Sequence, residues 1–198
     1  SPLNQKKPDY FKAGFVNDAD NVVAYWENGW SSWRDGVSTT VARNSLDGTI
    51  RFNVWGDINT RGDVPLQRWE QDRNGHLGSF ALLWSGGTIQ MLPHAPYWGG
   101  QAFSVADDGL VAGTVFDSAF ASPWIERGAL WRNGILDQVV PCDPNGMCVQ
   151  PYLFASRDLF GWVCSISVSF EGPRTCRYVY GKPVDGARAL SLAVQHLR

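Results

Sequence analysis

Charge is scarce in this chain. Asp, Glu, Lys and Arg supply 18% of its 198 residues, the formal net charge is −2, and no basic run exceeds two residues. Counterion release from phosphates needs clustered Lys and Arg, so nucleic acid is not an expected partner. Long apolar runs are also missing. Gly, Ser or Pro interrupts them well short of the roughly 20 residues that span a bilayer, so no membrane insertion is expected. Histidine is confined to His76, His94 and His196. No G-x-S-x-G or H-E-x-x-H pattern occurs, and no nucleophile is paired with a base. The chain therefore reads as non-catalytic and free of cofactors. Glu70 and Asp72 lie on one predicted loop, and Asp18 and Asp20 on another. Two carboxylates can do acid/base work, as in a hydrolase or lyase using channel carboxylates, but solvated acids on turns are far commoner. "NDADN" (Asn17–Asn21) has the alternating oxygens of a calcium loop. It lacks the following Gly and the distal Glu, so no metal is expected.

Cysteine is sparse but informative. Cys142 and Cys148 flank the turn-rich "DPNGM", and Cys164 and Cys176 lie either side of "SFEGPR". No C-x-x-C occurs and no His is near them in sequence, which argues against zinc. Two locally plausible pairs, Cys142–Cys148 and Cys164–Cys176, favour an oxidising compartment. The chain opens at Ser1 with no charged n-region before an apolar core, as a processed or trimmed chain would. The expected location is extracellular or the bacterial periplasm.

What the chain has in abundance is aromatic and turn residues. It carries 10 Trp, 21 Gly and 11 Pro, and 44% of its residues are hydrophobic. That composition can bury a core and points to short strands joined by tight turns. Four segments align: "FVNDADNVVAYW", "DINTRGDVPLQRW", "SVADDGLVAGTV" and "LFASRDLFGWVC". Each is followed by a second marker: "SWRDGV", "LWSGGT", "LWRNGI" and "VYGKPVDG". Gly62 to Trp84, Gly109 to Trp131 and Asp158 to Tyr180 each span 22 residues, whereas Asp20 to Trp33 spans 13. The first unit must therefore have a shorter middle hairpin. Each unit reads as four antiparallel strands, and such units recurring every 42 to 50 residues are the pattern of propeller blades. The expected fold is an all-β, small β-propeller of four antiparallel four-stranded blades. Its single repeat domain, 1–198, has units of about 10–47, 48–95, 96–145 and 146–198.

The segments "SFALLWSGG", "GALWRNG", "QAFSVADDGLVAG" and "INTRGDV" resemble the HAF-type repeats of bacterial extracellular proteins. Those carry an Ala-Phe-Leu-Trp-x-x-Gly hairpin and an Ile-Asn-x-x-Gly turn. The resemblance covers units two and three best, unit four loosely, and unit one only in its turn. It implies a propeller-like, exported, non-enzymatic protein and no particular ligand.

The repeat also explains Arg61-Gly62-Asp63, a tripeptide known as an adhesion signal. Gly62 falls where Gly109 falls, at a strand-to-strand turn where positive φ is convenient. The sequence thus reads as a turn. Trp84 and Trp131, at one repeat position, are expected to pack between blades. Trp30, Trp98 and Trp124 fall outside that position, in apparent turns and insertions, and an exposed Trp often marks a contact. With His94 and Tyr97 of "PHAPYWGGQ", they form the expected binding set. The expected function is non-catalytic binding of another protein, such as an enzyme or toxin that an inhibitor or immunity-type module would cap. The alternative is a lectin-like protein that takes a glycan on exposed Trp.

Overall fold

The computed structural model describes residues 12–26, 28–56, 58–116, 126–139, 148–154, 159–165 and 180–181. They form fifteen strands. The first sheet holds β1 (Lys12–Val16), β2 (Val22–Trp26), β3 (Gly29–Arg34) and β4 (Val37–Arg43). The second holds β5 (Ile50–Asn53), β6 (Val64–Gln71), β7 (Leu77–Ser85) and β8 (Thr88–Met91). The third holds β9 (Gly99–Val105), β10 (Val111–Phe116), β11 (Glu126–Arg132) and β12 (Ile135–Val139). Then come β13 (Cys148–Phe154), β14 (Leu159–Ser165) and β15 (Tyr180–Gly181). In each of the three four-stranded sheets, neighbours in sequence are neighbours in space, and every pairing is antiparallel. The last three strands pair in order as a further sheet. The fold is all-β, with no helix among the described residues and so none long and apolar enough to cross a membrane. None of the sheets closes on itself.

Local turn chemistry sets this meander. The third and fourth strands of each four-stranded sheet are joined by two residues that both have positive φ. They are Asp35-Gly36 (51° and 75°), Gly86-Gly87 (57° and 89°) and Asn133-Gly134 (52° and 74°). Two positive φ values match the twist of the flanking strands, and Gly, Asn and Asp adopt them most easily. The turns between first and second strands also correspond. The amides of Asp20, Gly62 and Gly109 donate to the carbonyls of Asn17, Asn59 and Ala106, at 3.2, 2.9 and 3.0 Å. Gly62 and Gly109 share the same φ of 85°. The middle hairpin of the first sheet is short: Trp26 pairs with Gly29, whereas β6–β7 run out to Gln71 opposite Leu77. That difference accounts for the unequal marker spacing.

The core lies between consecutive sheets. One cluster joins the first two and includes Val23, Trp30, Val41, Val64, Leu66, Leu82 and Trp84. A second joins the next two and includes Ala81, Leu92, Ala102, Val111, Val115 and Trp131. Trp84 and Trp131 are both buried, as expected for residues wedged between sheets. Trp30 is also buried, which corrects its expected place among the exposed binding residues. Gly29 is the first residue of β3 rather than part of a loop, so Trp30 already lies within the strand. Its ring meets Tyr25 edge-on at 5.6 Å, and its indole N–H donates to the Phe52 carbonyl at 2.8 Å. It ties the first sheet to the second.

The two disulfide pairings cannot be placed, because Cys142 and Cys176 lie outside the described residues. Cys148 and Cys164 occupy the β13–β14 ladder, where Cys148 faces Ser165 and Cys164 faces Val149.

Candidate binding site

The connection from β8 to β9 carries three of the expected binding residues together. Both of its ends are fixed. The Leu92 amide donates to the Ala81 carbonyl at 2.9 Å, and the Leu92 side chain is fully buried. At the other end the Trp98 amide donates to the Phe116 carbonyl at 3.0 Å. Gly99 and Gly100 follow in close contact with neighbouring backbone. A Cβ on Gly99 would sit 2.3 Å from the Ser79 carbonyl oxygen, and one on Gly100 would sit 2.7 Å from that of Thr114. Only Gly permits that approach.

Between these anchors the chain turns on itself. The Tyr97 amide donates to the His94 carbonyl at 2.7 Å, and His94 Nδ1 lies 2.7 Å from the Tyr97 carbonyl oxygen. The His94 ring packs against Phe80 at 5.9 Å. The Arg68 guanidinium also lies 5.0 Å from the Phe80 centroid, a cation–π contact, and pairs with Glu70. Tyr97 is half-buried against the second core cluster. Trp98 projects outward, 62% exposed. The loop thus offers one large indole on a firmly anchored base, flanked by a partly exposed imidazole and phenol.

The described residues divide the expected set. His94, Tyr97 and Trp98 come together in this loop, Trp30 belongs to the core, and Trp124 lies outside the described residues. Two further Trp residues are exposed, Trp26 at 40% and Trp55 at 52%. Their position outside the recurring Trp site was the only sequence signal for them. Trp55 is held by its N–H, which donates to Gln67 Oε1 at 2.6 Å. Gln67 in turn donates to Ser79, and Ser79 to the Gly100 carbonyl.

Asp72 serves a turn and Glu70 an ion pair. Asp72 accepts from the amides of Asn74 and His76 and lies 2.9 Å from His76 Nδ1, at the exposed β6–β7 turn. Glu70 is engaged by Arg68. No group of three or more metal-binding side chains occurs among the described residues.

The "INTRGDV" turn is a structural knot. Asp63 is buried. One carboxylate oxygen accepts from Ser85 Oγ at 2.5 Å, and the other from Asn59 Nδ2 at 2.7 Å and Arg61 Nη2 at 2.6 Å. Burial alone would raise the Asp63 carboxyl, but hydrogen bonds from Ser85, Asn59 and Arg61 together hold it below its usual value. The turn is also laced to its neighbours. Asn17 donates its side-chain amide to the Asn59 carbonyl, and Asn59 to the Ala106 carbonyl. Arg61 Nη1 reaches the Asp107 carbonyl at 2.7 Å. These contacts join the first three sheets at one end of their strands.

The described residues define an all-β protein of consecutive antiparallel sheets with an anchored aromatic loop. No family model, curated protein or solved structure matches the chain.

Proposed function

We propose that the chain is an exported, non-catalytic binding protein built as a four-bladed propeller. It would take another protein, such as an enzyme or toxin whose action it blocks, on the face that carries His94, Tyr97 and Trp98. The observation that carries this reading is Trp98, 62% exposed on a loop whose ends are fixed. A large indole that is already ordered loses little entropy on binding, and Trp is enriched among interface hot spots. The propeller form is supported by three successive four-stranded meanders, a further sheet after them, and cores between consecutive sheets. In this reading the protein needs no cofactor or metal.

The test is affinity capture from the medium or periplasm of the source cells, followed by measured affinity for the purified partner. Trp98→Ala should weaken that affinity by about 2 kcal/mol or more, a loss of roughly 30-fold. Unchanged affinity would place the binding surface elsewhere. A glycan reading has its own support in the three exposed indoles Trp26, Trp55 and Trp98, since aromatic faces stack on sugars. A glycan array run beside the capture separates the two. Binding on the array that is lost in Trp98→Ala, with no protein partner, would favour the sugar.

Export also implies the disulfides Cys142–Cys148 and Cys164–Cys176. Each closes a short loop and would stabilise the fold by about 2–3 kcal/mol by constraining the unfolded chain. Mass mapping of non-reduced peptides should recover both. Four free thiols, or a bridge between the two groups, would remove this support for an oxidising compartment.

A further inference from the structure

The seams between sheets differ in one place. Ser32 faces Thr39 across β3–β4, and at the corresponding register of β7–β8 Leu83 faces Gln90. Between the second and third sheets, these longer side chains fill the seam. Leu83 packs on the cluster that contains Trp131. The Gln90 amide comes so near Gly134 that a Cβ there would lie 2.1 Å from Nε2. Trp131 beneath is fully buried, with its N–H donated to the Pro93 carbonyl at 2.7 Å. Between the first and second sheets, Ser32 and Thr39 are too short to do the same. A Cβ on Gly87, the counterpart of Gly134, would meet nothing within 4 Å.

A cleft of about 430 Å³ opens at that seam, walled by Ser32, Arg34 and Thr39 on one side and by Trp84 and Gly87 on the other, with Arg61 at its end. The volume falls in the roughly 300–1,000 Å³ range of small-molecule sites. Its lining sets the side-chain donors of Ser32, Arg34, Thr39 and Trp84 beside a single carboxylate, that of Asp35. Ser32 is 7% exposed and Trp84 is 8% exposed, yet neither side chain has a hydrogen-bond partner among the described residues. Neither polar atom is sealed in the way that Arg68 Nε and Thr114 Oγ1 are, so both open on the cleft and are free to donate to an acceptor bound there. The nearest carboxylate to Arg34 is Asp35, with Nε 3.7 Å from Oδ2 and both side chains well exposed. Such a pair is weak and leaves the guanidinium available. Arg61 is already committed to Asp63.

We propose that this cleft binds a uronic acid, a pyranose ring that carries a carboxylate. The carboxylate would face Arg34 and the Ser32 hydroxyl. The apolar C–H surface would lie toward Trp84, whose N–H would donate to a ring hydroxyl, and Thr39 would meet another hydroxyl. The site is separate from the Trp98 loop. Trp98 precedes one end of β9, and the turn that follows the other end, at Ala106, is laced to the Arg61 turn, about 20 Å of strand away.

The experiment follows the Trp84 indole N–H resonance in ¹⁵N-labelled protein, assigned by its loss in Trp84→Phe. Galacturonate and glucuronate are titrated, with galactose, glucose and acetate as controls. One of the two uronates should shift the Trp84 signal with an affinity at least about tenfold above its neutral sugar and above acetate. Arg34→Gln should weaken that binding at least about tenfold. Thr39→Gln supplies the side chain that fills the neighbouring seam, and it should abolish the shift while melting stays unchanged. Trp98→Ala should leave it intact. The proposal is overturned if neither uronate moves the signal, if acetate or the neutral sugar binds as well, or if Thr39→Gln binds like wild type. Loss of uronate binding in Trp98→Ala would overturn the separation of the two sites.

Discussion

Replacing Trp131 with alanine should cost about 3–5 kcal/mol of stability, while Trp98→Ala should barely move the melting temperature. Trp131 sits in β11 with no exposed surface, clustered with Ala81 of the second sheet, with Leu92 of the β8–β9 connection, and with Val111 and Ala129 of its own sheet. Truncation would remove the transfer energy of an indole and leave a cavity among small, strand-bound neighbours that cannot close over it. It would also strip the Pro93 carbonyl of its donor. For a chain of this size, a loss of that magnitude corresponds to a drop on the order of 10 °C. Trp84→Ala should fall toward the lower end, because its seam is already partly open. Trp98 contributes its backbone amide to the fold, and that remains in the alanine variant. Thermal melts of the three variants decide the matter. If Trp98→Ala unfolds as readily as Trp131→Ala, then Trp98 is a packing residue and the binding loop is misassigned.

The meander was legible because turn chemistry is local. Asp35-Gly36, Gly86-Gly87 and Asn133-Gly134 announce two-residue hairpins from adjacent residues alone. The equal distance from turn Gly to the following Trp then fixed the strand count of the second and third sheets. What depended on other sheets was hidden. Trp30 looked like a turn residue beside Asn28-Gly29. Its burial requires the Phe52 carbonyl and a ladder irregularity just past it, neither visible in sequence. The change from "LW" to "SW" at Ser32 was in plain view among the markers. Its meaning appears only once Gln90 is seen filling the next seam against Gly134. His94, Tyr97 and Trp98 could be grouped in advance because they share one short connection, but the Phe80 and Arg68 contacts behind them come from strands far away in sequence.

Asp63→Ala should destabilise the protein by about 2–4 kcal/mol, which is the sharpest test of how Arg61-Gly62-Asp63 is used. The sequence marked Gly62 as a turn residue, and its φ of 85° agrees. It did not reveal that Asp63 would be 3% exposed and would accept from Ser85, Asn59 and Arg61 at once. Without the carboxylate, the fully buried Asn59 Nδ2 keeps only its 3.1 Å bond to the Ala106 carbonyl, while Oδ1 still accepts from the residue-63 amide at 2.9 Å. Ser85 and Arg61 are half-exposed or better and can turn to water, so the Asn59 loss and the cavity dominate. An adhesion motif must present its aspartate to a receptor, and this one is folded inward. Acid provides an independent readout. Because the folded pKa of Asp63 is depressed, its contribution is fully present above the ordinary carboxylate value and is lost as pH falls through the lowered one. Asp47, held at about 2 by Ser45 and Thr49, and Asp72, lowered by His76, titrate in wild type and variant alike. Urea unfolding from pH 7 down to about 2 should therefore show the two stability curves converging in acid. Curves that coincide already at neutral pH, together with cell adhesion by the wild type that Asp63→Ala abolishes, would show that the carboxylate faces a partner rather than the fold.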